Sequence, residues 1–141
     1  KAFNDSNGHD AGDEVLRGVA HVLKRHTRAE DVACRYGGEE FLVVLTDCAV
    51  DDAYSKGEAI REAIAQLHVF SRGIALPRIT ASLGIACYPQ DGERTEDLIA
   101  GADAALYRAK STGRNCIAAS NAPGDIVLFE SRARKPAGSK A

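Results

Sequence analysis

The sequence predicts an α+β fold in which helices flank a central antiparallel sheet. Apolar residues recur at helical spacing in three segments, which gives each predicted helix one apolar face. Between these segments lie short runs rich in Val, Ile and Leu, which are typical of strands. The length of 141 residues suits one domain with a substantial core.

The elements are predicted in the order helix, strand, strand, helix, strand, helix, strand. Val15, Val19 and Leu23 recur on one face of the first helix. Gly37 and Gly38 are predicted to form a tight turn between the first two strands, because glycine tolerates positive φ. The predicted helices span residues 10–26, 51–67 and 95–111, and the predicted strands span residues 32–36, 39–45, 79–88 and 115–119.

One more strand before Lys1 would complete a β-α-β-β-α-β, ferredoxin-like pattern. We therefore expect the first central strand to be missing from the N-terminus of this sequence. The predicted domain covers residues 1–120. Residues 121–141 contain Pro, Gly, Ser and several basic residues, and we predict a disordered C-terminal tail there.

Composition excludes several classes of protein. The net charge of −2 and the pI near 6.1 argue against a surface for a nucleic acid polymer, which is normally basic. No apolar run approaches the roughly 20 residues of a membrane span. The four cysteines show no C-x-x-C spacing, which indicates reduced thiols of a cytoplasmic protein. Any membrane anchor of the parent protein is expected upstream of Lys1.

Two carboxylates directly after the glycine pair are the main candidates for chemistry. Glu39 and Glu40 begin the predicted second strand, although Glu is depleted in strands. Mg²⁺ is typically held by one or two carboxylates together with substrate phosphate oxygens. The simpler interpretation is that both side chains only face water, as most glutamates do.

Four stretches in this order resemble the GGDEF domain, the diguanylate cyclase family. They are Asn-Asp-x-x-Gly-His-x-x-Gly-Asp at residues 4–13, Arg-x-x-Asp at 28–31, Arg-Tyr-Gly-Gly-Glu-Glu-Phe at 35–41, and Ala-Asp-x-Ala-Leu-Tyr-x-Ala-Lys-x-x-Gly-Arg-Asn at 102–115. The resemblance covers about residues 1–118. It implies a nucleotide-cyclase palm fold and a Mg²⁺- or Mn²⁺-dependent homodimer that condenses two GTP into cyclic di-GMP and two pyrophosphates.

The resemblance also implies roles for individual residues. Glu39 would bind the metal ion, and Glu40 would be a second catalytic carboxylate that helps to activate the 3′-hydroxyl. The substrate would be bound by Lys1, Asn4, Asp13, Gly37, Gly38, Lys110 and Arg114. Within this set, Asn4 and Asp13 would bind guanine, and the basic residues would bind the phosphates. Taken alone, these positions also suit a turn and the charged ends of helices.

Arg28 and Asp31 match the site where cyclic di-GMP binds such domains as a feedback inhibitor. Arg can stack on a guanine and Asp can accept its N–H groups. The family often adds an arginine from the following helix. Arg61 is a candidate for that contact, although a direct alignment places Ala59 there.

Two departures from the family pattern bear on activity. The third letter of the hairpin motif is Glu39 rather than Asp, which is a normal active variant. In the family, the segment before Lys1 would contain an aspartate that binds metal. Without it, we expect the catalytic rate of this chain to be lower by roughly 10²–10⁴, so that the chain alone is weak or inactive. Two alternatives remain open: a module that only senses cyclic di-GMP or GTP, and an interaction scaffold without a ligand.

Overall fold

A computed structural model of the chain describes residues 7–120 and the backbone of residues 126–133. The helices in this part of the chain are α1 (His9–His26), α2 (Val50–Ala65) and α3 (Thr95–Ser111). The strands are β1 (Val32–Gly37), β2 (Glu40–Val44), β3 (Phe70–Ser71), β4 (Ile74–Ala75), β5 (Ile79–Ala86), β6 (Ile117–Ala119) and β7 (Ile126–Ala133). The three predicted helices and the four strands predicted within the chain are all present, with bounds shifted by at most two residues.

Within residues 7–120 and 126–133, five strands form one sheet in the order β1-β2-β7-β5-β6. Neighbouring strands are antiparallel except β5 and β6, which are parallel. The strand β7 therefore lies in the centre, where its residue Phe129 pairs with Phe41 on one side and Leu83 on the other. The sequence prediction assigned this central position to a strand upstream of Lys1.

The prediction that residues 121–141 form a disordered tail is wrong for residues 126–133. The apolar run from Ile126 to Phe129 gives this segment strand character, and pairing on both sides satisfies its backbone N–H and C=O groups. Without a strand between them, β2 and β5 would each present an unpaired edge. Residues 121–125 and 134–141 lie outside the described part of the chain.

The main core lies between the sheet and the helices α1 and α2. Val19, Ile60, Val43, Leu83 and Ile85 are all almost completely buried there. Burial of this apolar surface stabilises the fold by roughly 25 cal/mol for each Å² removed from water.

The helix α3 covers the opposite face of the sheet. Gly84 and Ala86 of β5 are small enough for α3 to approach closely. A Cβ atom on Gly84 would collide with the carbonyl oxygen of Ala102 and the amide nitrogen of Leu106. This contact fixes the distance between α3 and β5 and thereby positions the C-terminal end of α3.

A short hairpin of β3 and β4 was not predicted, since strands of two residues have too few positions to show a periodic pattern. Arg72 and Gly73 form its turn, both with positive φ. The Arg72 guanidinium pairs with the Asp10 carboxylate at the start of α1. Within residues 7–120, every helix is too short or too polar to cross a membrane.

Candidate nucleotide site

The turn between β1 and β2 is displaced by one residue from its predicted place. Pairing is irregular between Arg35 and Gly37, and Gly37 then pairs with Glu40. The turn therefore consists of Gly38, with φ of 50°, and Glu39. Glu39 is thus a turn residue and only Glu40 begins the strand. The low strand propensity of Glu therefore does not disfavour residue 39. The Arg35 Nε donates to the carbonyl oxygen of Gly38 over 2.9 Å and braces the turn.

The two glycines differ in what the fold requires of them. The positive φ of Gly38 is a conformation that favours glycine. Gly37 has no positive φ, and a Cβ atom placed on it would meet no heavy atom within 4 Å. The fold itself therefore tolerates a side chain at residue 37, and the exposed backbone there leaves room for a ligand.

A cleft of about 840 Å³ lies between α1 and β1. Asp13 of α1, Arg35 of β1 and Phe41 of β2 contribute to its walls. The same cleft extends along α1 to Arg28 and Asp31, which follow the end of that helix. Asp13 is exposed and available to a ligand in the cleft.

Glu40 lies on the opposite, α3 side of the hairpin. Its carboxylate oxygen is 3.9 Å from Nζ of Lys110, and both side chains are partly exposed. Tyr36, Glu40 and Asp103 line a second recess of about 600 Å³ between the hairpin and α3. The structure thus brings Glu40 and Lys110 together although 70 residues separate them in the chain.

The loop after α3 has an unusual backbone. Gly113, Arg114 and Asn115 all have positive φ, at 118°, 64° and 49°. The backbone N–H of Arg114 donates to the carbonyl oxygen of Ala109 over 3.0 Å, and the residue is exposed. The other two predicted substrate residues, Lys1 and Asn4, lie outside the described residues.

Asp31 of the predicted inhibitory site is bonded within the protein. Its carboxylate accepts the backbone N–H groups of Arg28 (2.8 Å) and Thr46 (3.2 Å) and the ammonium group of Lys56 (3.2 Å). Its side chain is 1% exposed. Burial alone would raise its pKa, but these three donors outweigh burial and hold the pKa of Asp31 below its ordinary value. A carboxylate has about four acceptor positions, so most of those of Asp31 are already occupied.

Arg61 does not reach towards the Arg28–Asp31 loop. Its guanidinium bonds Glu58 on its own helix and the side-chain oxygen of Asn115, after α3. Ala59, at the aligned position, has no side-chain donor. The structure therefore gives no support for Arg61 as the third inhibitory arginine.

The hairpin carboxylates fit part of a magnesium site. Glu39 and Glu40 supply the hard oxygen ligands that Mg²⁺ prefers, and substrate phosphates and water commonly supply the others. No group of three or more His, Cys, Asp or Glu residues that could hold a metal occurs in the described ranges.

The family model described as "Diguanylate cyclase, GGDEF domain" matches residues 1–116. The chain belongs to this family. The GGDEF domain is 41% identical over 118 residues to the response regulator PleD of Caulobacter vibrioides. The aligned residues make up 83% of this chain and 26% of PleD. It is 40% identical over 119 residues to the diguanylate cyclase DgcM of Escherichia coli K12, covering 84% of this chain and 28% of DgcM. The chain thus spans about a quarter of each relative.

Solved structures confirm the nucleotide-cyclase palm fold. The GGDEF domain of DgcB from Caulobacter crescentus, in complex with c-di-GMP, superposes with a TM-score of 0.78 at 35% identity, covering 86% of this chain and 71% of that one. The active GGEEF domain of a diguanylate cyclase from Vibrio cholerae superposes with a TM-score of 0.73 at 31% identity, covering 86% and 76%. The GGDEF domain described here carries the same Gly-Gly-Glu-Glu-Phe sequence at residues 37–41.

Proposed function

We propose that this domain belongs to an enzyme that condenses two GTP molecules into cyclic di-GMP and two pyrophosphates. The observation that carries the proposal is the convergence of separate family motifs on one hairpin. Glu40 meets Lys110 on one side of the hairpin, and Asp13 shares a cleft with Arg35 and Phe41 on the other. The sequence similarity to this family supports the same activity, since the related proteins include named diguanylate cyclases.

The cleft between α1 and β1 would bind the guanosine part of GTP. Its volume of about 840 Å³ lies within the range of small-molecule sites. The carboxylate of Asp13 can accept hydrogen bonds from N1–H and N2–H₂ of guanine, which adenine does not offer in that arrangement. Asn4 is proposed to complete guanine recognition, and Lys1 to contact the triphosphate.

The triphosphate would then lie over the turn at Gly37 and Gly38, where no side chain blocks the backbone. Lys110 and Arg114 would neutralise its charge from the end of α3. Glu39, together with the phosphates, would hold Mg²⁺ or Mn²⁺, which supplies charge neutralisation and polarises the α-phosphate when bound.

Catalysis would need two such domains facing each other in a homodimer. Each 3′-hydroxyl attacks the α-phosphorus of the other GTP, a new P–O bond forms, and the bond to pyrophosphate breaks. The 3′-hydroxyl loses its proton, and Glu40 is the candidate acceptor. The domains contribute mainly by orienting the two nucleotides and stabilising the developing negative charge.

Product inhibition is the second part of the proposal. Arg28 and Asp31 would bind cyclic di-GMP, the ligand named in the DgcB complexes. Because the Asp31 carboxylate already accepts three donors, we assign direct binding chiefly to the Arg28 side chain. Asp31 would then hold the loop that presents Arg28.

Calorimetric titration with GTP and Mg²⁺ tests the substrate site in the chain as it stands. We expect saturable binding that weakens about tenfold or more in Asp13→Ala, while the exposed-residue control Asp52→Ala binds as the wild type does. Equal affinity in Asp13→Ala would contradict the proposed guanine contact. If cyclic di-GMP binds in an Arg28-dependent way but GTP never binds, the domain is a sensor.

A further inference from the structure

The loop that carries Arg114 is held by a residue from a different helix. Arg61 of α2 donates from Nη1 to Oδ1 of Asn115 over 2.9 Å. The Arg61 side chain is only 16% exposed, and its Nε also bonds the Glu58 carboxylate. Glu58 therefore fixes the plane of the guanidinium that reaches Asn115.

A second contact holds the same residue from the sheet. The backbone N–H of Asn115 donates to Oγ of Ser82, a buried residue of β5, over 3.1 Å. Asn115 is thus bonded through its side chain to α2 and through its backbone to β5. The helix α2 lies close at this point, because a Cβ atom on Gly57 would be 3.0 Å from the Ile117 side chain.

The backbone of this loop needs such support. Asn tolerates the left-handed conformation, but Arg rarely adopts it, and Arg114 has φ of 64°. A residue in this region persists only where its surroundings impose the conformation. The two bonds to Asn115 and the bond from Arg114 N–H to Ala109 provide that constraint.

We infer that Arg61 is a positioning residue for Arg114: by bonding Asn115 it holds the loop in the conformation that presents the Arg114 guanidinium to the nucleotide phosphates. The inference rests on the proposed phosphate contact of Arg114. It assigns Arg61 to the substrate site and not to the inhibitory site.

The first experiment measures the loop without any ligand. Trypsin cleavage after Arg114 is followed by mass spectrometry in the wild type, Arg61→Met and Arg94→Met. Arg94 is the control, because it also pairs with a carboxylate, Asp97, at the other end of α3. We expect cleavage after Arg114 to become roughly tenfold faster in Arg61→Met and to stay at the wild-type rate in Arg94→Met. An unchanged rate overturns the inference whatever happens to GTP binding.

The second experiment compares ligands. Arg61→Met should bind GTP about tenfold more weakly, and guanosine and cyclic di-GMP unchanged, because only the phosphate contact is disturbed. Asn115→Gly, which keeps the backbone conformation but removes Oδ1, should show the same pattern, and the double variant should lose little more. Weaker cyclic di-GMP binding with intact GTP binding would contradict the inference. Faster cleavage in a chain that binds no GTP at all would refute the proposed function and leave the loop support standing.

Discussion

Nζ of Lys110 lies 3.9 Å from a carboxylate oxygen of Glu40, so the end of α3 meets the first residue of β2. A partly exposed pair of this kind contributes about 0–1 kcal/mol to stability. The pair also places a cation beside the turn over which, in the proposed function, a triphosphate would lie.

Lys110→Met should therefore separate binding from stability. We expect the thermal midpoint to stay within a few degrees of the wild type, while GTP affinity falls roughly tenfold and depends less on salt. Differential scanning fluorimetry and titrations at two salt concentrations provide the measurements. An Arg25→Met variant, at the end of α1 and outside the lining of the cleft, is the charge-matched control. Unchanged GTP affinity in Lys110→Met would remove Lys110 from the substrate site.

The two glycines of the hairpin should respond differently to alanine. Gly37→Ala is expected to leave the free energy of unfolding within about 0.5 kcal/mol, because the added Cβ lies in open space, and to weaken GTP binding. Gly38→Ala should destabilise the protein by about 1–2 kcal/mol because its φ of 50° is strained for alanine. Urea unfolding and GTP titration measure both effects. Wild-type GTP affinity in Gly37→Ala would show that no ligand approaches this backbone.

Asp31 should make stability depend on pH. Because its pKa is lower in the folded protein than its ordinary value of 3.8, Asp31 stabilises the fold above about pH 4. That contribution is lost as the pH falls through the folded pKa. Asp31→Asn should lower the free energy of unfolding by about 2–3 kcal/mol at pH 7. One carboxylate oxygen that accepts hydrogen bonds is replaced by an NH₂ group, which is itself a donor and faces the donors that bind Asp31. This cost should shrink in acid.

Urea unfolding at pH 7 and near pH 3 measures this effect, with Glu30→Gln as the exposed neighbouring control. The wild type and Asp31→Asn should differ less in stability at the lower pH. A cost that is the same at both pH values would show that Asp31 does not hold the loop as a carboxylate.

Gly84 should be the glycine that stability depends on most. Alanine there would place a Cβ against backbone atoms of Ala102 and Leu106, which cannot move without shifting α3. We expect Gly84→Ala to cost at least about 3 kcal/mol or to prevent folding. Gly101→Ala is the matched control, because its Cβ would lie 3.4 Å from that of Ala86, an ordinary contact, and alanine favours helix. Equal stability in the two variants would contradict the close approach of α3 and β5.

The strand β7 should be essential for the sheet. A chain that ends after Ser120 lacks β7 and leaves β2 and β5 with unpaired inner edges, so it should unfold or aggregate. A chain that ends after Ala133 retains every pair of β7 and should unfold as the full chain does. Circular dichroism and size-exclusion chromatography distinguish the two. A folded monomer ending at Ser120 would show that β7 is dispensable.

The local pattern of the sequence was sufficient for most elements. Val15 and Val19 repeat with the helical period and both face the core. The motifs around Gly37 and Lys110 were recognisable as a family signature. Helical periodicity and short motifs depend on residues that are close together in the chain, so they can be recognised from the sequence.

Tertiary structure decided where these pieces meet. Residues 126–133 occupy the centre of the sheet because hydrogen-bond pairing between distant strands depends on which edges are free, and no local pattern encodes that. The irregular pairing after Arg35 moved the turn to Gly38 and Glu39. Burial turned Asp31 into an internal acceptor, and the packing of α2 on β6 brought Arg61 to Asn115, across 54 residues of chain.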